Sequence, residues 1–141
     1  MASLDQSLID AAISTLKARF PKGRGGAAAA YTEKENLLTS VGLTTANASA
    51  NLCRETGAIL EAVKLNEKIV AIACVYRESE EHEVIILSPC GICQERLMVW
   101  GGDMEVAVPD ETAPMRWAAK PLRAVQPHYW ALGLPHSVNP S

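Results

Sequence analysis

Apolar residues Leu4, Leu8, Ile9, Ala12, Ile13 and Leu16 recur at helical spacing and predict a first helix. Ser3 is placed to cap it, with Gln6 completing a capping box, and Phe20-Pro21 ends it. Lys22-Gly23-Arg24-Gly25-Gly26 reads as a loop, without the frame of a phosphate-binding motif. Small side chains over 27–32 predict a strand packed closely on both faces, and residues 37–43 return as a second strand after a polar turn. Residues 44–51 are small and polar, which predicts a loop. Residues 53–65 have helical spacing, with Ile59, Leu60 and Val63 inward. The nearly unbroken apolar run over 69–75 predicts a central strand buried on both faces.

An acidic turn over 78–83 leads to Val84-Ile85-Ile86-Leu87, a second buried strand closed by Ser88-Pro89. A helix follows, with Cys93, Leu97 and Trp100 on one face and a stop at Gly101-Gly102. The remainder predicts a strand over 104–108, a turn over 110–114, an edge strand over 115–119 and a short helix over 121–130 broken at Pro127. Residues 131–141 read as a loose tail or an arm onto a neighbouring subunit. There is no internal repeat, so residues 1–141 are expected to form one domain. Helices alternating with strands imply a three-layer α/β/α sandwich around a mixed sheet. The last strand should pair antiparallel, because residues 110–114 are too few for a helical crossover.

Composition narrows the function. A net charge of −3 and an isoelectric point near 5.6 argue against binding nucleic-acid backbones. No apolar stretch approaches a membrane span, and the N-terminal residues lack a signal-peptide pattern, so the expected location is cytoplasmic. In that compartment the four cysteines are expected to be reduced thiols rather than a disulfide framework.

Three of those cysteines carry the chemistry. Cys90 and Cys93 lie one turn apart at a predicted helix start, where free N–H groups and the positive dipole end favour thiolates. Cys53 opens another predicted helix, with Glu55 two residues on. Three thiolates suit zinc (Zn2+), and a catalytic zinc site keeps its fourth position for water. Glu55 is then the candidate proton shuttle. Two rivals use the same sulfurs: a closed structural site with Cys74 as fourth ligand, and a thioredoxin-like redox pair. Cys74, however, lies inside a continuous apolar run, where a cysteine packs as a small hydrophobe.

Cys53-Arg54-Glu55 followed by Pro89-Cys90-Gly91-Ile92-Cys93 resembles the signature of the zinc deaminases. The chain resembles the cytidine deaminase family, in the small three-cysteine branch that also holds the blasticidin S deaminases. The closing segment from Leu122 to Trp130, with Pro127, resembles the same family. This resemblance implies a five-stranded sheet, zinc on Cys53, Cys90 and Cys93, and catalysis through Glu55. It implies hydrolytic release of ammonia from a nucleoside-like or small amino-heterocyclic substrate. It also places the backbone of Ser88 and Pro89 along the leaving amine and implies a homotetramer, with a dimer next. A catalytically idle, zinc-stabilised small-ligand binding module is the alternative.

The pattern departs from the family at the substrate. Where cytidine deaminases carry an Asn-x-Glu pair that holds the ribose, this chain has Gly42 and Thr44, and Gly23 stands where a stacking aromatic is expected. Gln94-Glu95 replaces Arg-Gln after the last cysteine. Gly42, Thr44, Asn47 and Asn51 are the candidate pocket lining. A compensating arginine usually follows the catalytic glutamate, where this chain has Thr56; Arg54 either covers that charge or reaches an anionic substrate group.

Overall fold

The computed structural model describes residues 2–133. Helix α1 (Gln6–Arg19) is capped by Asp5, not Ser3: the Asp5 carboxylate accepts the Leu8 N–H at 2.9 Å. A carboxylate there satisfies an orphan donor and also meets the positive end of the helix, which a serine hydroxyl does not. Gln6 forms no capping box, because its amide donates to Asp10 and accepts from the Trp117 indole.

Strands β1 (Gly25–Thr32) and β2 (Leu37–Val41) form an antiparallel hairpin. Helix α2 (Thr56–Leu65) leads to the central strand β3 (Ile69–Arg77), and β4 (Ile85–Leu87) to helix α3 (Gly91–Leu97). Strands β5 (Glu105–Pro109) and β6 (Trp117–Pro121) and the single turn α4 (Leu122–Val125) follow. The order is β2-β1-β3-β5-β6, a path of five strands as the resemblance implies, parallel only at β3–β5, with β6 antiparallel to β5 as expected. A sixth strand, β4, lies off that path. It pairs antiparallel with β3 from Cys74 to Tyr76, on the stretch beyond Ala71 and Ile72, where β5 pairs.

The three layers follow from alternation along the strands. Ala27, Ala29, Ala71, Ala73 and Val75 pack against Leu8, Ala12 and Leu16 of α1. Ala30, Ile72 and Val106 face the opposite way, onto Ala58, Ile59 and Ala62 of α2 and Leu97 of α3. Ala28 and Cys74 are register partners and share that second face. Alanines in β1 let both helical layers come close to the sheet, as the small side chains predict.

Several boundaries differ from expectation. The second helix begins at Thr56, because Cys53 and Arg54 are in the turn before it. Gly25 and Gly26 belong to β1 rather than to a loop. The final helix shortens to α4 plus a 3-10 turn, Trp130–Gly133, since Pro127 removes a backbone donor between them. Residues 134–141, most of the expected tail or arm, lie outside the described residues.

Candidate metal and catalytic centre

The turn before α2 and the start of α3 bring Cys53, Cys90 and Cys93 together, with sulfurs within 4.8 Å of one another and Cys53 and Cys90 at 3.4 Å. Tetrahedral zinc with bonds of about 2.3 Å separates its sulfurs by about 3.8 Å, so the cluster fits that ion. The donor set fits too, since soft thiolates select zinc over hard cations. Cys74 is not in the group, so among the described residues no fourth side chain closes the site.

Each sulfur has its own surroundings. Cys90 is the N-cap residue of α3, and burial that would push its thiol up is outweighed by the N–H groups of Cys93 and Ile92 and by the Cys53 thiol, so it is held below the ordinary thiol range. Cys53 lies outside the helix it was expected to open; burial pushes its thiol up, and the thiol of Cys90 adds to the rise. Burial and then the nearby Glu55 carboxylate push Cys93 up strongly. A cation among the three sulfurs would favour their thiolate forms, as ligation requires.

Glu55 is only 4% exposed, beside these sulfurs. Burial raises its carboxyl above the ordinary range, although its own N–H, the thiols of Cys74 and Cys93, and the charge of Arg54 pull the other way. Cys74 therefore lies beneath the carboxylate, and its thiol is pushed up by burial and then by Glu55. A carboxyl so placed holds a proton more readily than an exposed one.

Beside the centre lies a cleft of about 390 Å³ lined by Cys53, Arg54, Gly42, Thr44 and Asn51, among others. Leu43 and Leu52 pair through two backbone hydrogen bonds, closing the loop between them so that Thr44 and Asn51 reach the cleft. Asn47 does not line it; its side chain caps a 3-10 turn through the Ser49 N–H. Ser88 and Pro89 do not line it either. They lead directly into Cys90, and the Pro89 carbonyl accepts the Gln94 amide at 2.7 Å.

Sequence reasoning missed three residues here. Phe20, read as a helix stop, lines the cleft, and its ring lies over Gly25, where a Cβ would come within 2.6 Å of it. Tyr76 carries the Arg54 guanidinium over its ring at 5.0 Å. Arg96, in the last turn of α3, donates to the Thr56 hydroxyl at 2.8 Å and so ties α3 to the first residue of α2. The spacing Cys93 to Arg96 puts both on one helical face. Behind α3, Glu95 accepts from the Tyr129 hydroxyl and the Trp130 indole.

Sheet order, flanking helices and a three-thiol cluster with a buried glutamate define a deaminase-like α/β/α protein. No family model and no curated protein matches the chain, but solved structures do. The cytidine deaminase from Bacillus anthracis is 42% identical, with a TM-score of 0.84 over 90% of this chain and 89% of that one. The chain belongs to the cytidine deaminase family. The enzymes from Burkholderia pseudomallei (20% identity, TM-score 0.66, 95% of this chain and 98% of that one) and Mycobacterium leprae (21%, 0.64, 86% and 96%) share the fold. Among the described residues no helix is long and apolar enough to cross a membrane.

Proposed function

We propose that this protein is a zinc-dependent hydrolytic deaminase that releases ammonia from an amino-substituted ring of a small, nucleoside-like molecule. The observation that carries the reading is the open three-sulfur cluster with the buried carboxyl of Glu55 beside it. Cys53, Cys90 and Cys93 would hold the ion, which would supply a water whose pKa is lowered to about 7. Glu55 takes a proton from that water and passes it to the ring nitrogen. The water oxygen bonds to the ring carbon that bears the amine. Glu55 then carries the second proton to the amine, the C–N bond breaks, and ammonia leaves a carbonyl behind.

Zinc with three thiolates sums to about −1, which weakens the ion as a Lewis acid. Arg96 is the candidate for offsetting that charge, because it reaches Thr56, the residue that follows the shuttle. That leaves Arg54 free to face the cleft. Reduced cysteines at such a centre accord with a cytoplasmic location. Exposed Leu43, Leu52 and Ile92 rim the cleft and support assembly into a homotetramer whose neighbours cover them.

The test is metal analysis of the purified protein together with an ammonia-release screen over cytidine, deoxycytidine, blasticidin S, guanine and small triazines. One zinc per chain and ammonia release that Glu55→Gln abolishes are expected. Zinc without any turnover across the screen would favour the idle binding module, and absence of metal would leave the redox pair.

A further inference from the structure

We infer that the substrate carries an anionic group, a carboxylate or a phosphate, and that Arg54 is the side chain that selects it. This deepens the deaminase reading and rests on it. Arg54 stands between Cys53 and Glu55 in the chain, so its side chain leaves the backbone that carries both a sulfur and the shuttle. An anion held there lies at a fixed reach from the reacting carbon.

The fold makes room for this guanidinium and orients it. A Cβ on Gly26 would come within 2.1 Å of the Arg54 Nε, so the side chain occupies space that only glycine leaves open. The Tyr76 ring supports one face at 5.0 Å, and the Ser40 hydroxyl donates to the Arg54 carbonyl. Stacking on one face leaves the edge N–H groups free for the forked recognition of carboxylate or phosphate.

Nothing among the described residues takes that role. Among the described residues no carboxylate lies within 4.0 Å of Arg54, and its guanidinium donates no hydrogen bond. Arg24 is the other charged residue lining the cleft, and it is already paired with Glu78 at 2.8 Å. The lining includes no acidic side chain. A half-buried guanidinium without a counter-ion is incompletely compensated, and an anionic ligand supplies what is missing.

The experiment uses zinc-loaded Glu55→Gln protein, which binds without turning over, and three probes that differ only at one end. These are cytidine, cytidine 5′-monophosphate and the 5′-carboxylic acid of cytidine, with dissociation constants measured by calorimetry at low and high salt. At least one anionic probe is expected to bind about ten-fold tighter than cytidine, equivalent to about 1.4 kcal/mol. Which one does so distinguishes phosphate from carboxylate. Adding Arg54→Gln should erase the preference. Gly26→Ala, which keeps the charge but displaces the guanidinium, should erase most of it. Equal or tighter binding of cytidine, no binding by either anion, or a preference that survives Arg54→Gln overturns the inference. Ammonia release by the wild-type protein reports separately on the reaction. Turnover of cytidine without anion preference sinks the selection by Arg54 alone, whereas anion-selective binding without ammonia sinks the deaminase reading alone.

Discussion

Two buried glutamates flank α2, and they are opposites. Glu55 precedes the helix at 4% exposure, and Glu67 follows it at 7%. Glu67 meets the Thr32 hydroxyl and both its oxygens accept from the Asn36 amide at 2.9 Å, which holds its carboxyl below the ordinary range. Glu55 has thiols and sulfur lone pairs around it, and burial pushes its carboxyl up. One carboxylate is settled by dedicated donors and ties the β1–β2 turn to the start of β3. The other has only weak thiol donors and its own N–H against its burial, and keeps its affinity for a proton. Similar burial thus yields a structural brace at one end of a helix and a candidate catalyst at the other, and the difference is the donors supplied.

Exchanging each carboxylate for its amide tests that contrast. Glu55→Gln should lower ammonia release by about 10²- to 10⁴-fold, the usual worth of a positioned acid–base group. Zinc content and thermal midpoint should stay as in wild type, since the amide fills the same space. Retention of full turnover would remove Glu55 from the chemistry.

A smaller effect is expected at Arg96, which holds the next residue, Thr56. Arg96→Gln should weaken zinc retention in chelator competition by about ten-fold, as for other groups that support metal ligands. Arg96→Lys should recover part of the loss. If Arg96→Gln holds zinc as tightly as wild type, the charge beside Thr56 has no part in the centre.

The mildest effect concerns Glu67 and its dependence on pH. Its carboxyl is lowered in the fold, so the stability it contributes is present above the ordinary value of 4.5 and is lost as pH falls through the lowered one. Urea midpoints of wild type and Glu67→Gln should therefore differ at pH 7 and converge below about pH 4. Turnover should be unchanged in this variant. A gap that widens toward acid would mean that Glu67 is not stabilised as an anion.

Legibility from sequence followed the range of the interactions involved. The sulfurs and Glu55 were readable because the chemistry dictates residue types at short spacing, and the layers were readable because apolar period reflects burial. The Asp5 cap was missed because a capping box matches Ser3 equally well until the helix start is fixed. Phe20, Tyr76 and Arg96 were missed for another reason. Tyr76 and Arg96 acquire their roles from partners far along the chain, Arg54 and Thr56, and Phe20 acquires its role from the fold-back of the chain over Gly25. No local pattern records such a meeting.

The grip of Tyr129 and Trp130 on Glu95 has a consequence for the order in which the protein is made. Synthesis delivers Cys53 first, then the paired cysteines, and only afterwards the aromatic residues that fasten their helix from behind. A nascent chain on the ribosome can thus present the three clustered cysteines before their scaffold is locked, and any ion they take up would be held firmly only once Tyr129 and Trp130 have emerged.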